Sequence, residues 1–208
     1  MRELGIRVGE DVAGALERYA SIVLAENKRT NLVGAKTPEQ LVLHILDSLA
    51  PLVGLKLADP VVDLGSGAGL PGLVAAIVFP AHAYVLIEPR AKRAAFLERA
   101  TRELGLARAR VVRATAPKSA SAALPGGAGT VLARAIAKPA AALALGLPLL
   151  RKRGRLIMYL GRQAQPSPGE RAIMLRLGGR LVEAKRVYVP YLEAQRHAWI
   201  VEIRGRDT

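Results

Sequence analysis

The chain has 208 residues, just over half of them hydrophobic, so it can bury a core of one ordinary domain and disorder is not its default state. It has no cysteine, which excludes disulfides, zinc–cysteine sites and a thiol nucleophile. A net charge of +14 favours a polyanionic partner through phosphate contacts and counterion release, with a solubility adaptation as the alternative. The first residues include acidic side chains and no apolar stretch of signal-peptide length. No run reaches the roughly 18 apolar residues of a spanning helix. The expectation is a soluble, cytoplasmic protein without membrane contact.

In chain order, residues 10–26 place Val12, Leu16, Tyr19, Ile22 and Val23 at helical spacing. Thr37-Pro-Glu-Gln40 reads as a helix start: threonine caps, proline suits the first turn, and Gln40 can close a capping box. The helix that follows directs Leu41, Ile45, Leu46 and Leu49 toward a core. Strands and helices then alternate. Strands are expected at 60–64, 83–88, 110–113, 130–134 and 155–159, with helices at 71–78, 90–104, after Pro139 and near 170–177. Two closely spaced strands near 187–189 and 198–203 suggest an antiparallel edge. The pattern implies an α/β fold, a mainly parallel sheet covered by helices on both faces. Residues 1–57 form a helical cap and 58–208 the α/β core of a single domain. Residues 116–129, rich in Ala, Gly, Ser and Pro, read as a flexible insertion.

The segment Val61-Val-Asp-Leu-Gly-Ser-Gly-Ala-Gly-Leu-Pro-Gly72 joins the first strand to its helix. Its spaced glycines allow a tight turn and close approach to a ligand, at the sheet edge where ligands bind in open α/β folds. Two ligands compete for it. Gly67–Gly72 matches the GxGxxG dinucleotide fingerprint, a weak signal alone. Asp63 followed by Gly65, Ser66, Gly67 and Gly69 suits S-adenosylmethionine better. That donor carries an ammonium and a sulfonium and no pyrophosphate, whereas an acid beside a pyrophosphate is unfavourable. A turn that only packs helix on strand is the third reading. Glu88, at the end of the second strand, can accept both ribose hydroxyls or cap the next helix. Arg134 ends the fourth strand at the same edge, as a site cation or a solvated charge.

Asn31-Leu32, His44-Ile-Leu-Asp-Ser48, Asp63–Gly72, Glu88, Lys92-Arg93, Phe96-Leu97, Ala133-Arg-Ala135 and Arg196-His197 occur in one order along the chain. Together they resemble the bacterial 16S ribosomal RNA guanine-N7 methyltransferases, the glucose-inhibited division protein B family, over roughly residues 15–204. The resemblance implies a class I, Rossmann-like, S-adenosylmethionine-dependent methyltransferase fold. It implies methyl transfer to N7 of one guanine in the helix-18 loop of small-subunit ribosomal RNA. It also implies that Gly65 and Leu70 contact the donor, Glu88 its ribose, Ala114 and Thr115 its adenine, and that Arg134 lies beside the site. The chain departs from the family at Thr115, where Glu is usual, at Leu160 (Lys), at Glu26 (Trp) and at Val33 (Thr).

Guanine N7 carries a lone pair and no proton, so its methylation needs no general base, and alignment with electrostatics suffices. The sequence offers no triad and no metal cluster. Arg134 and Arg196 are expected to hold the guanine or its phosphates, since arginine reads the N7/O6 edge. Asn31 and Asp47 would position the base or shape the pocket, and for all four residues the alternative is structural hydrogen bonding between the helical cap and the sheet. His44 shares a helix face with Asp47 and Ser48 and either lines the site or is a hydrogen-bonded structural residue. His82 is expected in a solvent-facing loop. The clusters Lys92-Arg93 and Arg151-Lys-Arg153 are candidate phosphate contacts, with an exposed helix face as the alternative for Lys92-Arg93. The expected partner is ribosomal RNA, within the small subunit, and the expected state is a monomer. A small-molecule methyltransferase, a nicotinamide enzyme and a non-enzymatic RNA-binding module are the competing functions.

Overall fold

The computed structural model describes residues 1–115, 117–136 and 138–205. Two helices open the chain, α1 (Glu10–Thr30) and α2 (Pro38–Leu49). Thr37 caps α2, its hydroxyl accepting from Gln40 N–H, as its sequence suggests. Gln40 does not close the expected box on Thr37; its side chain accepts from Lys36 N–H at 2.7 Å, one residue earlier. Of the stripe the spacing predicts on α1, Leu16, Tyr19 and Val23 are buried and Val12 and Ile22 partly so; α2 buries Leu41, Ile45, Leu46 and Leu49.

The alternating half begins with β1 (Val61–Leu64), α3 (Gly72–Val78), β2 (Tyr84–Ile87), α4 (Ala91–Glu103) and β3 (Ala109–Val112). It continues with α5 (Lys118–Ser121), β4 (Ala128–Ala133), α6 (Pro139–Gly146), β5 (Leu150–Leu160), α7 (Pro168–Arg176), β6 (Gly179–Val187) and β7 (Arg196–Ile203). The seven strands lie in the order β3-β2-β1-β4-β5-β7-β6. The first five are parallel, and β7 runs antiparallel to both β5 and β6. Every residue of β1, β2 and β4 is buried, which is why these strands read as continuous apolar runs rather than alternating ones.

Helices α1 to α4 cover one face, in a core that includes Tyr19, Leu41, Leu73, Leu86 and Phe96. Helices α5 to α7 cover the other, around Val62, Val85, Leu143, Met174 and Trp199. The first 57 residues thus share a core with the helices of the sheet. Glu26 pairs with Arg99 at 2.6 Å and ties α1 to α4.

Most boundaries differ from expectation by a residue or two, and three of the departures have a visible cause or consequence. The penultimate strand is β6, ending at Val187, whereas the apolar run 187–189 mostly follows it. As an edge strand β6 carries Arg180, Glu183, Lys185 and Arg186, and its charge masks its strand character. Strand β5 starts at Leu150, five residues before the expected 155, and takes in the basic triplet Arg151–Arg153. Pro71 occupies the cap position of α3 and the helix starts at Gly72. Within the expected insertion, α5 forms a short helix, and Ala116 lies outside the described residues.

Candidate active site at the carboxyl edge of the sheet

The glycine loop leaves β1 at the carboxyl edge and is tied to β2, whose Ile87 carbonyl accepts from Gly65 and Ser66 N–H. Glu88 holds the next turn: Oε2 accepts from Gly67 N–H at 3.0 Å and Oε1 from Arg90 N–H at 2.9 Å. It is buried, so in this state it shapes the loop and the start of α4 together. The cap reaches the loop as well, through Tyr19, whose hydroxyl donates to the Ala68 carbonyl at 3.1 Å.

Two glycines are required for different reasons. A Cβ at Gly72 would stand 2.5 Å from Asp63 Oδ2, so α3 can pack this closely only on glycine. Gly67 has φ +55°, and a Cβ there would meet nothing closer than 3.8 Å. A Cβ there would make ordinary contacts with Arg93 Nη1 and the Gly65 carbonyl, so it is the left-handed backbone, not a clash, that favours glycine at this turn.

Asp63 is 1 % exposed. Its Oδ2 accepts from Gly72 N–H at 3.0 Å, and its Oδ1 is buried with no partner among the described residues. Burial pushes its carboxyl up to about 6, against the pull of the Gly72 N–H and the Arg134 charge. An unmatched buried acceptor of this kind is costly unless a donor or cation arrives. The ammonium of S-adenosylmethionine fits that requirement, and a pyrophosphate does not. Ser66 donates to the Asp63 carbonyl at 3.0 Å, and Leu70 is buried beside the loop. A Cβ at Gly69 would collide with Leu73 at 2.5 Å, so this glycine serves packing.

A second group of residues gathers beside the loop. Arg134 follows β4, and the next residue, Ala135, takes φ +55°, turning the chain sharply at the sheet edge. The Arg134 guanidinium donates to Asp47 Oδ2 at 2.8 Å and to Ser48 Oγ at 3.0 Å, and lies 3.2 Å from His44 Nδ1. Asp47 Oδ1 in turn accepts from Arg196 Nε at 2.9 Å. One carboxylate on α2 thus bridges two arginines from distant strands. Strand β7 is antiparallel, so its first residues, Arg196 and His197, lie at the carboxyl ends of the parallel strands, with His197 opposite Leu160. Burial, reinforced by the Arg134 charge, lowers the pKa of His44, so its Nδ1 serves as an acceptor. A cleft of about 330 Å³ opens here, lined by Asp47, Arg134, Tyr159, Gly161, Arg196 and His197 among others.

The structure brings His44, Asp47, Arg134 and Arg196 together as anticipated. It does not add Asn31 to them. Asn31 is exposed, ends α1 in the left-handed conformation (φ 47°), and accepts from Arg93 through its carbonyl at 3.4 Å. Ala114 is buried just beyond β3, and Thr115 is exposed, its N–H donating to Ser119 Oγ at 3.0 Å. Lys92 is exposed and Arg93 half-buried near Gly67. His82 sits in a loop at the opposite edge, 2.7 Å from Asp59. The Arg151–Arg153 cluster also lies at that opposite edge, because β5 enters the sheet there.

Two contributors escape sequence reasoning. Tyr159 donates to the Ser48 carbonyl at 2.8 Å and lines the cleft; its only signal is a tyrosine at the carboxyl end of an apolar strand. Asn27 holds the loop after α1 by donating to the Val33 and Ala35 carbonyls and accepting from Val33 N–H. A polar residue on the helix is all that marks it.

Residues 13–175 match the family model described as rRNA small subunit methyltransferase G. The ribosomal RNA small subunit methyltransferase G of Methylococcus capsulatus is 34 % identical over 209 aligned positions, covering all of this chain and 98 % of the relative. That of Xanthomonas campestris pv. campestris is 35 % identical over 194 positions, covering 92 % and 87 %. In fold, the magnesium protoporphyrin IX methyltransferase of Synechocystis PCC 6803, solved with its methyl donor, superposes with a TM-score of 0.58 at 17 % identity, over 95 % of this chain and 99 % of that one. A carboxylate-floored glycine loop beside a paired-arginine cleft, with these relatives along the whole chain, places the protein in the rRNA small subunit methyltransferase G family.

Proposed function

We propose that the protein transfers the methyl group of S-adenosylmethionine to N7 of a guanine in 16S ribosomal RNA. The observation that carries this reading is the adjacency of two unlike subsites. One is the buried, unmatched Asp63 oxygen at the root of the glycine loop; the other is the Arg134–Asp47–Arg196 cleft. The donor, when bound, supplies an electrophilic methyl on a sulfonium. Asp63 and the loop from Gly65 to Leu70 would hold it, with Glu88 at the ribose and Ala114 and Thr115 at the adenine.

The chain's own residues then need only present the guanine. N7 attacks with its lone pair, so no side chain has to remove a proton, and neutral His44 is not needed as a base. Arginine can hold O6 and a phosphate while N7 stays free. Arg196 is suited to this, half-exposed and using Nε on Asp47 and Nη1 on its neighbour's carbonyl. Arg134 is 14 % exposed and is fixed by three partners, which suits alignment. The charge surplus supports a polyanionic substrate rather than a small molecule.

We further propose that the protein acts as a monomeric single domain in the cytoplasm, on RNA of the small ribosomal subunit. No helix among the described residues is long and apolar enough to cross a membrane. The test is incubation with methyl-tritiated S-adenosylmethionine and 16S RNA that lacks the modification. The reading predicts label in the RNA. Donor binding without any transfer to that RNA would reject it.

A further inference from the structure

The basic triplet Arg151-Lys152-Arg153 is a bulge built into the sheet. Between the pairs Ala128↔Leu150 and Thr130↔Arg155, β4 advances two residues while β5 advances five. The extra residues are extruded at the amino edge. Arg153 takes φ +60°, unusual for a residue with a side chain. Gly154 behind it leaves no room for a Cβ, which would lie 2.7 Å from the Ala128 carbonyl oxygen. The bulge is therefore locked by its base, and all three basic side chains are exposed.

Charge accumulates around it. Arg204 is exposed, and Arg153 lies beside the neighbouring Gly205. The carboxylates in this region are already engaged: Glu202 by Arg155 and Arg180, and Asp59 by His82 and Arg108. Among the described residues, Arg151, Lys152, Arg153 and Arg204 make no ion pair. Arg151 reaches only the Asp59 carbonyl, at 3.4 Å. No carboxylate among the described residues neutralises this edge, so it presents positive charge to a polyanion.

Along β5 the bulge stands seven residues from Leu160, which lines the cleft, or about 23 Å at strand rise. We propose that this bulge is a second RNA-backbone contact, which grips phosphates remote from the target guanine while the opposite edge holds the base. The inference rests on the reading of the substrate as ribosomal RNA. Phosphate contacts of this kind add affinity and orientation without sequence information. The enzyme would therefore distinguish RNA long enough to reach both edges from an isolated target loop.

The test compares filter binding of full-length 16S RNA and of a short helix-18 fragment. It uses wild type and the variant Arg151→Gln/Lys152→Gln/Arg153→Gln, with native folding checked by circular dichroism. A charge-retaining variant, Arg151→Lys/Arg153→Lys, serves as the rescue. The glutamine variant should lose about tenfold or more in affinity for the long RNA. Its salt slope should fall by about two to three, at roughly 0.7–0.9 per lost phosphate contact. Fragment binding and S-adenosylmethionine binding should be unchanged, and the lysine variant should bind as wild type. Unchanged long-RNA affinity, or an equal loss on both RNAs, would overturn the proposal. Methyl transfer by wild type is scored separately, so a failure of the enzymatic reading leaves this binding result standing on its own.

Discussion

Asp47 Oδ2 accepts a hydrogen bond from Arg134 Nη2 at 2.8 Å, although 87 residues separate the two in the chain. The other oxygen of the same carboxylate holds Arg196. The cap thus sets the position of both cations in the cleft, and the helical segment before the sheet becomes part of the site.

Asp47→Ala should leave two nearby arginines without their common partner. The Asp47 carboxylate is 13 % exposed, between surface and fully buried, so a stability loss of about 2 kcal/mol is expected in urea unfolding. Single-turnover methyl transfer should fall at least tenfold while donor affinity, measured by calorimetry, stays within about twofold. Wild-type transfer by this variant would show that the bridge is structural only.

The two arginines should separate in their effects. Arg134→Ala should slow transfer even with saturating RNA, because alignment is lost. Arg196→Ala should mainly weaken RNA binding, by about 1–3 kcal/mol for one good arginine contact to guanine, and spare donor binding. Lysine at either position keeps the charge but loses the planar fork, so it should rescue only in part. A reversed pattern in transfer rates at varied RNA, with Arg196→Ala abolishing donor binding, would exchange the two roles.

Gly67→Val should abolish S-adenosylmethionine binding while circular dichroism stays native. The branched side chain would crowd Arg93 Nη1 and the Gly65 carbonyl, where the donor is proposed to lie, and φ +55° adds strain of roughly 1–2 kcal/mol. Retained donor affinity would move the ligand away from this loop.

Asp63 predicts a pH dependence. Its carboxyl is raised from the ordinary 3.8 to about 6, so the unfolded chain ionises first. Its contribution to stability is complete below about pH 4 and is lost as pH rises to 6, a change of order 3 kcal/mol. The donor's ammonium needs the ionised form, so donor affinity should rise through about pH 6 and level off above it. Asp63→Asn should be more stable than wild type at pH 8 without donor, and should bind donor weakly and independently of pH. Thermal melts and calorimetry across pH 5–8 check both; a flat wild-type affinity profile would remove Asp63 from the donor site.

Much of this is legible in the sequence, and the exceptions share a cause. Strands β1, β2 and β4 stand out because they are buried on both faces, and the glycine loop because its backbone needs glycine locally. The grouping of His44, Asp47 and Ser48 follows from helical spacing. The Asp47 bridge itself depends on how α2 lies against β4 and β7, which spacing does not encode. Glu88 shows the same limit: proposed for the ribose, it also fixes the loop by accepting from Gly67 and Arg90. The triplet Arg151–Arg153 reads as a phosphate-binding cluster in one dimension, and only the register of β5 against β4 places it on the far edge. Edge strand β6 is obscured by its own charged residues.

The most direct test is to map the methylated base. Small-subunit RNA from a strain lacking the modification is incubated with the protein and S-adenosylmethionine, then treated with borohydride and aniline, which cleave the chain at N7-methylguanine. Scission at a single guanine in the helix-18 loop, dependent on Asp63 and Arg134, is the predicted result. Methylation at another atom or another base, or scission that persists in both variants, would contradict the account.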